Sequence, residues 1–459
     1  MDKVKGLSPA GGDKVSRRGF IGRAVCLAAG ATTLSATARS YSRILGSNDR
    51  IRIGQIGCGA RSRGHRKMIK MSQKEGNIEL VSVCDIWSGN RDKAADESER
   101  MFGTRPKTCK YSEDMLADPD LDAVMIATGD HQHARILAEV VRAGKDCYCE
   151  KPMANTLEDA RLARETVLSS GRVVQMGSQW VSCPYQNRVR QLIREGKVGK
   201  VTMIEQSWNY NGPRWHDPKD PDIAAIREQD TDWERWLLGR PARPFDPLVY
   251  FEFRIFKDFS GGITDQWYSH AAGLVHFYLD SFIPSDTVSN GGIFAWHDVR
   301  ENPDNYSCLS TFAEKDVLCR YSSCYSNYYG DTTIIRGTEG TLFSPGGEGS
   351  PQWWFLPEDK RSLTTDLLNE KDRPGAGNKE LITIPGHPEV PPLMQSDDSK
   401  PHMDNWIDCM RSGKTPNGSI DSGFAHSVAV VMATRSYREG KKMYWDRKNE
   451  KIQDHPISY

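Results

Sequence analysis

Short apolar runs alternate with helical stretches from Arg52 onward, and no other feature restricts the fold of this chain as strongly. Residues 53–56, 80–84, 123–127, 147–149 and 173–176 read as strands, and 63–74, 90–101, 133–143 and 157–168 as helices between them. Predominantly apolar runs of three to five residues suit strands buried on both faces, and the helical spacers are long enough for crossovers. Repeated βα units predict a doubly wound parallel sheet with helices on both faces over residues 50–177.

Directly after the first strand stand Gly57, Cys58, Gly59, Ala60 and Arg61, where such a sheet needs a tight turn and a helix N-terminus that presents free amides to a pyrophosphate. The usual third glycine falls at Ser62, and the next glycine is Gly64. Asp85 ends the second strand, where a carboxylate accepts hydrogen bonds from ribose hydroxyls and repels a 2′-phosphate. This set favours NAD over NADP. Two further strand ends run into Thr128-Gly129-Asp130-His131-Gln132-His133 and Glu150-Lys151-Pro152, at the carboxyl edge where ligands bind.

With the segments IGCGARSRG, IATGDHQHARILAEVVRAGKDCYCEKPMA and GGITDQWYSH, residues 50 to 445 resemble the Gfo/Idh/MocA oxidoreductases, the glucose-fructose oxidoreductase and inositol dehydrogenase family. The resemblance implies that Lys151 lies between nicotinamide and substrate and that Thr128 and Glu150 lie near the cofactor. It implies His270 as general base, with a neutral imidazole able to take a hydroxyl proton near pH 7. Relatives carry an Asp four residues before that His, whereas Asp265 stands five before it, so either a bulge restores convergence or Asp265 caps a helix. His133 either touches the cofactor or caps the next helix, and Gly129 replaces a customary Pro. Homo-oligomers are common in the family.

Residues 178–445 read as an α+β domain: a helix at 185–195, strands at 201–208, 288–294, 306–312, 317–321 and 332–336 in a mostly antiparallel open sheet, and helices at 403–411 and 422–438 packing back on the domain junction. Loops are expected at 344–351, 372–378 and 386–402. Of the 12 Trp, only Trp87 precedes residue 180. Flat aromatic faces stack on sugar rings, which makes Trp208, Trp215 and Trp267 candidates for a carbohydrate cleft, with core packing as the alternative. Arg214 and Tyr268 are further substrate candidates.

Ser16-Arg17-Arg18-Gly19-Phe20-Ile21, the weakly apolar run 24–38 and Ala36-Thr37-Ala38 read as a twin-arginine signal over residues 1–38. Export of a folded, cofactor-loaded protein to the periplasm is the expectation. Ten cysteines remain after that segment, without a CxxC pair, and are expected as buried thiols rather than a metal site. With 61 basic and 61 acidic residues the formal charge is zero, which offers nucleic acid or a membrane surface no attraction. The expected activity is NAD(P)-dependent hydride transfer at a C–OH of a sugar, polyol or glycoside, with the NAD held tightly. The alternatives are a redox-neutral NAD-dependent glycosidase or lyase, and a noncatalytic sugar-binding protein.

Overall fold

All five expected N-terminal strands form, and a sixth joins them. The computed structural model describes residues 50–280, 283–347, 350–358, 380–382 and 399–457. The twin-arginine segment and the loop expected at 372–378 lie outside these. β1 (Ile51–Ile56), β2 (Ile78–Cys84), β3 (Lys107–Cys109), β4 (Ala123–Ile126), β5 (Asp146–Cys149) and β6 (Val174–Met176) pair in parallel in the order β3-β2-β1-β4-β5-β6. Side chains alternate across this sheet as a two-residue period demands. Ala123 and Met125 pack with Met68 and Ile69 of the helix Ala60–Gly76, whereas Val124 and Ile126 pack with Leu137 and Val141 of the helix His133–Arg142. Cys147 and Cys149 share the second of these faces, and eight of the ten described cysteines are buried.

The remaining strands are β7 (Val201–Ser207), β8 (Tyr210–Asn211), β9 (Asp286–Gly292), β10 (Asn305–Phe312), β11 (Val317–Cys324), β12 (Ser326–Asn327), β13 (Thr332–Gly337), β14 (Gly340–Ser344), β15 (Trp354–Pro357), β16 (Glu380–Leu381), β17 (Met443–Asp446) and β18 (Lys451–Gln453). Ten of them form one sheet in the order β16-β15-β14-β13-β7-β11-β10-β9-β17-β18, and β8 pairs with β12. Its pairings are antiparallel except β7 with β11, so the sheet is mixed but mostly antiparallel. The expected boundary at 445 cuts through β17: the terminal hairpin completes the sheet edge, and Met443, Trp445 and Ile452 are buried there.

The helix Ser399–Ser412 begins inside the stretch read as a loop, because Pro401 lies in its first turn, where a missing N–H costs nothing. Together with the helix Ile420–Glu439 it does pack back on the first sheet. Trp406 meets Tyr148 edge-on at 5.7 Å, and His426 Nε2 accepts the Met153 amide at 3.1 Å, just beyond Lys151.

Between β8 and the helix Ser269–Leu279 the chain crosses over the carboxyl edge of the first sheet. This strap carries the short helices Pro221–Ala225, Trp233–Leu237 and Pro247–Glu252. Trp233 and Trp236 stack at 4.8 Å in an apolar cluster with Trp87, Tyr250 and Phe259, so they serve packing. At its rim the strap is tied by Lys93–Asp222 and Arg235–Glu113 ion pairs, both at 2.5 Å, and by Tyr111 donating to Asp232 at 3.2 Å.

Candidate active site

At the carboxyl edge of β1 the chain turns through Gly57, whose φ of +85° suits glycine and whose amide donates to Cys84 O at 2.9 Å. A Cβ at Gly57 would lie 2.5 Å from Ala127 O, so the turn presses backbone against backbone. Gly59 differs: a Cβ there meets nothing within 4 Å, because the residue faces an open cleft at the start of the helix Ala60–Gly76. Ser62 replaces the third glycine without clash, since its Oγ donates to Gly59 O at 2.6 Å and accepts from the buried Arg66 at 3.0 Å.

The cleft measures about 1310 Å³ and is lined by Gly57, Gly59, Ala60, Arg61, Asp85 and Thr128 among others. Asp85 accepts the Cys58 amide at 2.8 Å and the Trp87 amide at 2.9 Å. Burial pushes its carboxyl up, against the pull of those amides. Thr128 Oγ1 is buried and without a partner. An open cradle at Gly59, an orphaned hydroxyl and a carboxylate at the end of β2 fit a dinucleotide: phosphates at the helix start and ribose hydroxyls at Asp85.

A second cavity of about 180 Å³ shares Arg61, Ala127, Thr128 and Arg254 with the cleft and adds Asp130, His133, Glu150, Lys151, Gln179, Gln266 and His270. The two residues expected to carry the chemistry, Lys151 and His270, thus face one space. Lys151 Nζ donates to Gln266 O at 2.5 Å. Burial lowers its pKa to about 8, against the opposing pull of Asp130 and Glu150. His270 packs on Trp180 with ring centroids 4.5 Å apart. Burial, then the Lys151 charge, keeps its pKa well below the usual imidazole range, so it is neutral at pH 7 and able to accept a proton. Beneath Lys151 lies a fixed charge: burial would raise the Glu150 carboxyl, but Arg61 (2.5 Å) and His65 (2.9 Å) hold it well below its ordinary value. Arg61 therefore spends its guanidinium on Glu150 while lining both cavities. His133 lines the inner cavity and shares a hydrogen bond of 2.8 Å between Nδ1 and Pro152 O, so it steadies the Lys151 loop.

Asp265 is placed elsewhere. The bulge that its spacing requires exists, as a π-helical turn over Thr264–Tyr268, yet the carboxylate turns back to accept the Gly261 amide at 2.7 Å and does not line the cavity. Gln266, four residues before His270, takes the inward place. It donates to Asp130 Oδ2 at 2.5 Å, and Ser260 donates to the same oxygen at 2.7 Å. Sequence reading passed over Gln266, Asp130 and Arg254, although the four-residue spacing pointed at Gln266. Burial, and then the charge of Asp130, push Asp265 up to about 7. A carboxyl that keeps its proton to about pH 7 when folded, and loses it near 4 when unfolded, makes stability fall as pH rises from about 4 to 7. Asp265→Asn preserves an acceptor for Gly261. It is expected to melt about 2 °C or more above the parent at pH 8 and to converge with it at pH 5; an equal offset at both pH values would refute the assignment.

The aromatic candidates divide. Trp267 is 5% exposed and stacks on Trp208 at 4.8 Å with an 8° interplanar angle, so it is a wall within the protein and not an open sugar platform. Trp208, half-buried, links Trp267 to Trp180 at 5.5 Å and lines neither cavity. Tyr268 points away from both, bonded to Ser310 Oγ at 3.0 Å against the second sheet, which removes it as a substrate contact. Trp215 and Arg214 do line the large cleft. Trp215 adopts φ +64°, costly for a bulky residue, and is braced by Trp267 at 5.7 Å and Tyr325 at 5.6 Å.

Residues 51–178 match the profile of the Gfo/Idh/MocA oxidoreductase family, NAD-binding Rossmann fold. The chain is 30% identical over 192 residues to inositol 2-dehydrogenase 2 of Saccharopolyspora erythraea, covering 41% of this chain and 54% of that protein. It is 28% identical over 194 residues to an inositol 2-dehydrogenase/D-chiro-inositol 3-dehydrogenase of Lactiplantibacillus plantarum, covering 41% and 52%. The chain thus spans about half the length of the curated relatives it matches. Similar solved structures include an oxidoreductase domain protein from Kribbella flavida, with a TM-score of 0.65 at 18% identity over 86% of this chain and 99% of that one. Levoglucosan dehydrogenase in complex with NADH gives 0.64 at 18% identity over 86% and 98%. These likenesses extend the shared fold through both sheets.

Proposed function

We propose that the protein is an NAD-dependent oxidoreductase that transfers hydride from a secondary C–OH of a sugar or polyol. The observation that carries this reading is the inner cavity, where Lys151 and a neutral His270 face one space that opens into the cleft above Gly59. The named activities of the relatives, dehydrogenation of inositols and of levoglucosan, support a cyclic polyhydroxylated substrate. Bound in the cleft, NAD supplies the hydride acceptor. The protein's own part is to remove and stabilise the proton. His270 takes the hydroxyl proton, and the Lys151 ammonium, aimed by Gln266 O, donates a hydrogen bond to the oxygen as it becomes a carbonyl. Asp130 orients Gln266 and thereby the lysine.

We also read the chain as exported through its twin-arginine segment with the nucleotide already on board, and preferring NAD through Asp85. The strap tied over the cleft supports retention. On the second sheet, Val288 and Leu309 pair directly and are 42% and 40% exposed, and Leu318 on the next strand is 38% exposed; this apolar row supports self-association. Among the described residues no helix is long and apolar enough to cross a membrane.

The test is to denature the purified protein, identify the nucleotide released, and follow reduced nicotinamide when NAD and a panel of inositols and hexoses are added. NAD(H) in the supernatant and reduction by a polyol are expected. Failure to bind either nicotinamide dinucleotide would overturn the reading.

A further inference from the structure

Two guanidinium groups at the mouth of the inner cavity have no role in the chemistry described so far. Arg254 lines both cavities, and Arg214 lines the cleft beside it. Each lies within electrostatic reach of the other, so their charges add. Neither side chain makes a hydrogen bond or an ion pair with any described residue, and Arg214 Nε is buried without a partner.

The carboxylates around them are already engaged. Glu252 accepts from His216 (2.7 Å) and the Asp217 amide (2.6 Å). Asp298 is held by Arg300 at 2.7 Å, and Asp304 by the amides of Phe294, Ala295 and Trp296 at 2.7 to 2.9 Å. Asp130 and Glu150 exert a pull on Arg254 from inside the cavity, but their oxygens accept from Gln266, Ser260, Arg61 and His65.

Arg214 is instead held by aromatic faces. Its guanidinium carbon lies 5.0 Å from the Tyr210 ring centroid, 5.9 Å from Trp215 and 6.0 Å from Trp267. Stacking of this kind fixes the plane of a guanidinium and leaves its in-plane N–H edge for another acceptor. The left-handed Trp215 next in sequence is braced by Trp267 and Tyr325, so the loop that carries Arg214 is set by its surroundings. Two partly desolvated guanidiniums that form no ion pair or hydrogen bond with any described residue are costly unless a ligand brings the missing acceptor.

We infer that Arg254 and Arg214 form a carboxylate-binding subsite, so that the substrate is a sugar acid, an aldonate or uronate, whose reacting hydroxyl lies at Lys151 and His270. A carboxylate matches the planar donor fork of arginine, and Arg254 shares the 180 Å³ cavity with the reacting groups, so one small ligand spans both. This rests on the oxidoreductase reading above and narrows its substrate.

The experiment compares matched pairs, glucuronate with glucose, galacturonate with galactose and gluconate with glucitol, in steady-state kinetics of the intact mature protein with NAD. For at least one pair kcat/KM should favour the acid by about 100-fold, as expected where a site's charged donors are left unpaired by the neutral analogue. Arg254→Gln and Arg214→Gln should each raise KM for that acid by at least about tenfold, change kcat less, and shrink the preference for the acid. NAD affinity, read by fluorescence titration, should stay within about twofold of the parent, and the acid should bind Lys151→Met loaded with NADH in calorimetry. Equal or better use of the neutral partner in every pair, while NAD binds and neutral polyols are oxidised, overturns the subsite alone. Loss of NAD affinity in Arg254→Gln, matching the loss in KM, reassigns the arginine to the cofactor and overturns it too. If no nicotinamide dinucleotide binds, the parent reading has failed instead.

Discussion

Lys151→Met is expected to lower turnover by about 10²- to 10⁴-fold and to leave the nucleotide bound, because on the proposed mechanism the substitution removes the donor to the developing carbonyl and nothing that lines the phosphate cradle. Methionine approximates the length of the lysine stem, so the packing of the loop is kept. The parent should show a second signature. Burial brings the Lys151 ammonium to about 8, while His270 stays neutral throughout the range above pH 6. Polyol oxidation should therefore be level between about pH 6 and 8 and fall above it as the ammonium is lost. The residual activity of Lys151→Met should lack that alkaline limb. Full turnover in the variant, or an unchanged limb, would remove the lysine from the chemistry.

Substitutions at Gly57 and Gly59 separate stability from cofactor binding. In Gly57→Val the side chain must accept φ +85° and a Cβ only 2.5 Å from Ala127 O and 2.7 Å from Ala127 C, which are backbone atoms of β4's exit and have nowhere to go. A loss of about 3 kcal/mol or more is expected, with NAD binding abolished in whatever folds. Gly59→Ala places a methyl group in open cleft, so its melting temperature should match that of the parent while NAD affinity falls at least about tenfold. The two variants are compared by thermal melting and by nucleotide titration. Equal effects of both on melting would mean that the cleft at Gly59 is not where the phosphates lie.

The first sheet was legible in the sequence because its central strands are buried on both faces and therefore carry predominantly apolar runs. β3 escaped for the opposite reason: Lys107-Thr108-Cys109 is a short edge strand with two exposed side chains and no apolar signal. Lys151 and His270 were readable as motif positions, but their surroundings were not. A one-residue displacement decides whether Asp265 or Gln266 faces the cavity, and that depends on a π-helical turn which side-chain chemistry does not announce. The tryptophans misled in a different way. Their crowding in the second half was real, yet Trp267 and Trp208 satisfy each other by stacking, and of the three candidates Trp215, held in a strained turn, is the one that reaches the cleft. Arg254 carries no motif at all, and became visible only when every nearby carboxylate could be matched to another donor.

The strap over the nucleotide cleft bears on how long a guest stays. Its outer fastenings, Lys93 with Asp222 and Arg235 with Glu113, join side chains that are between 29% and 54% solvent-accessible, and such pairs are individually weak and damped by dissolved ions. Its inner face is a slab of aromatic rings that salt does not loosen. Departure of the dinucleotide is then expected to follow how often the chain peels back, and to be faster in brine than in dilute buffer. On the proposed export, where no fresh coenzyme can be collected, the guest would be guarded by a door whose hinges are greasy and whose latches are ionic.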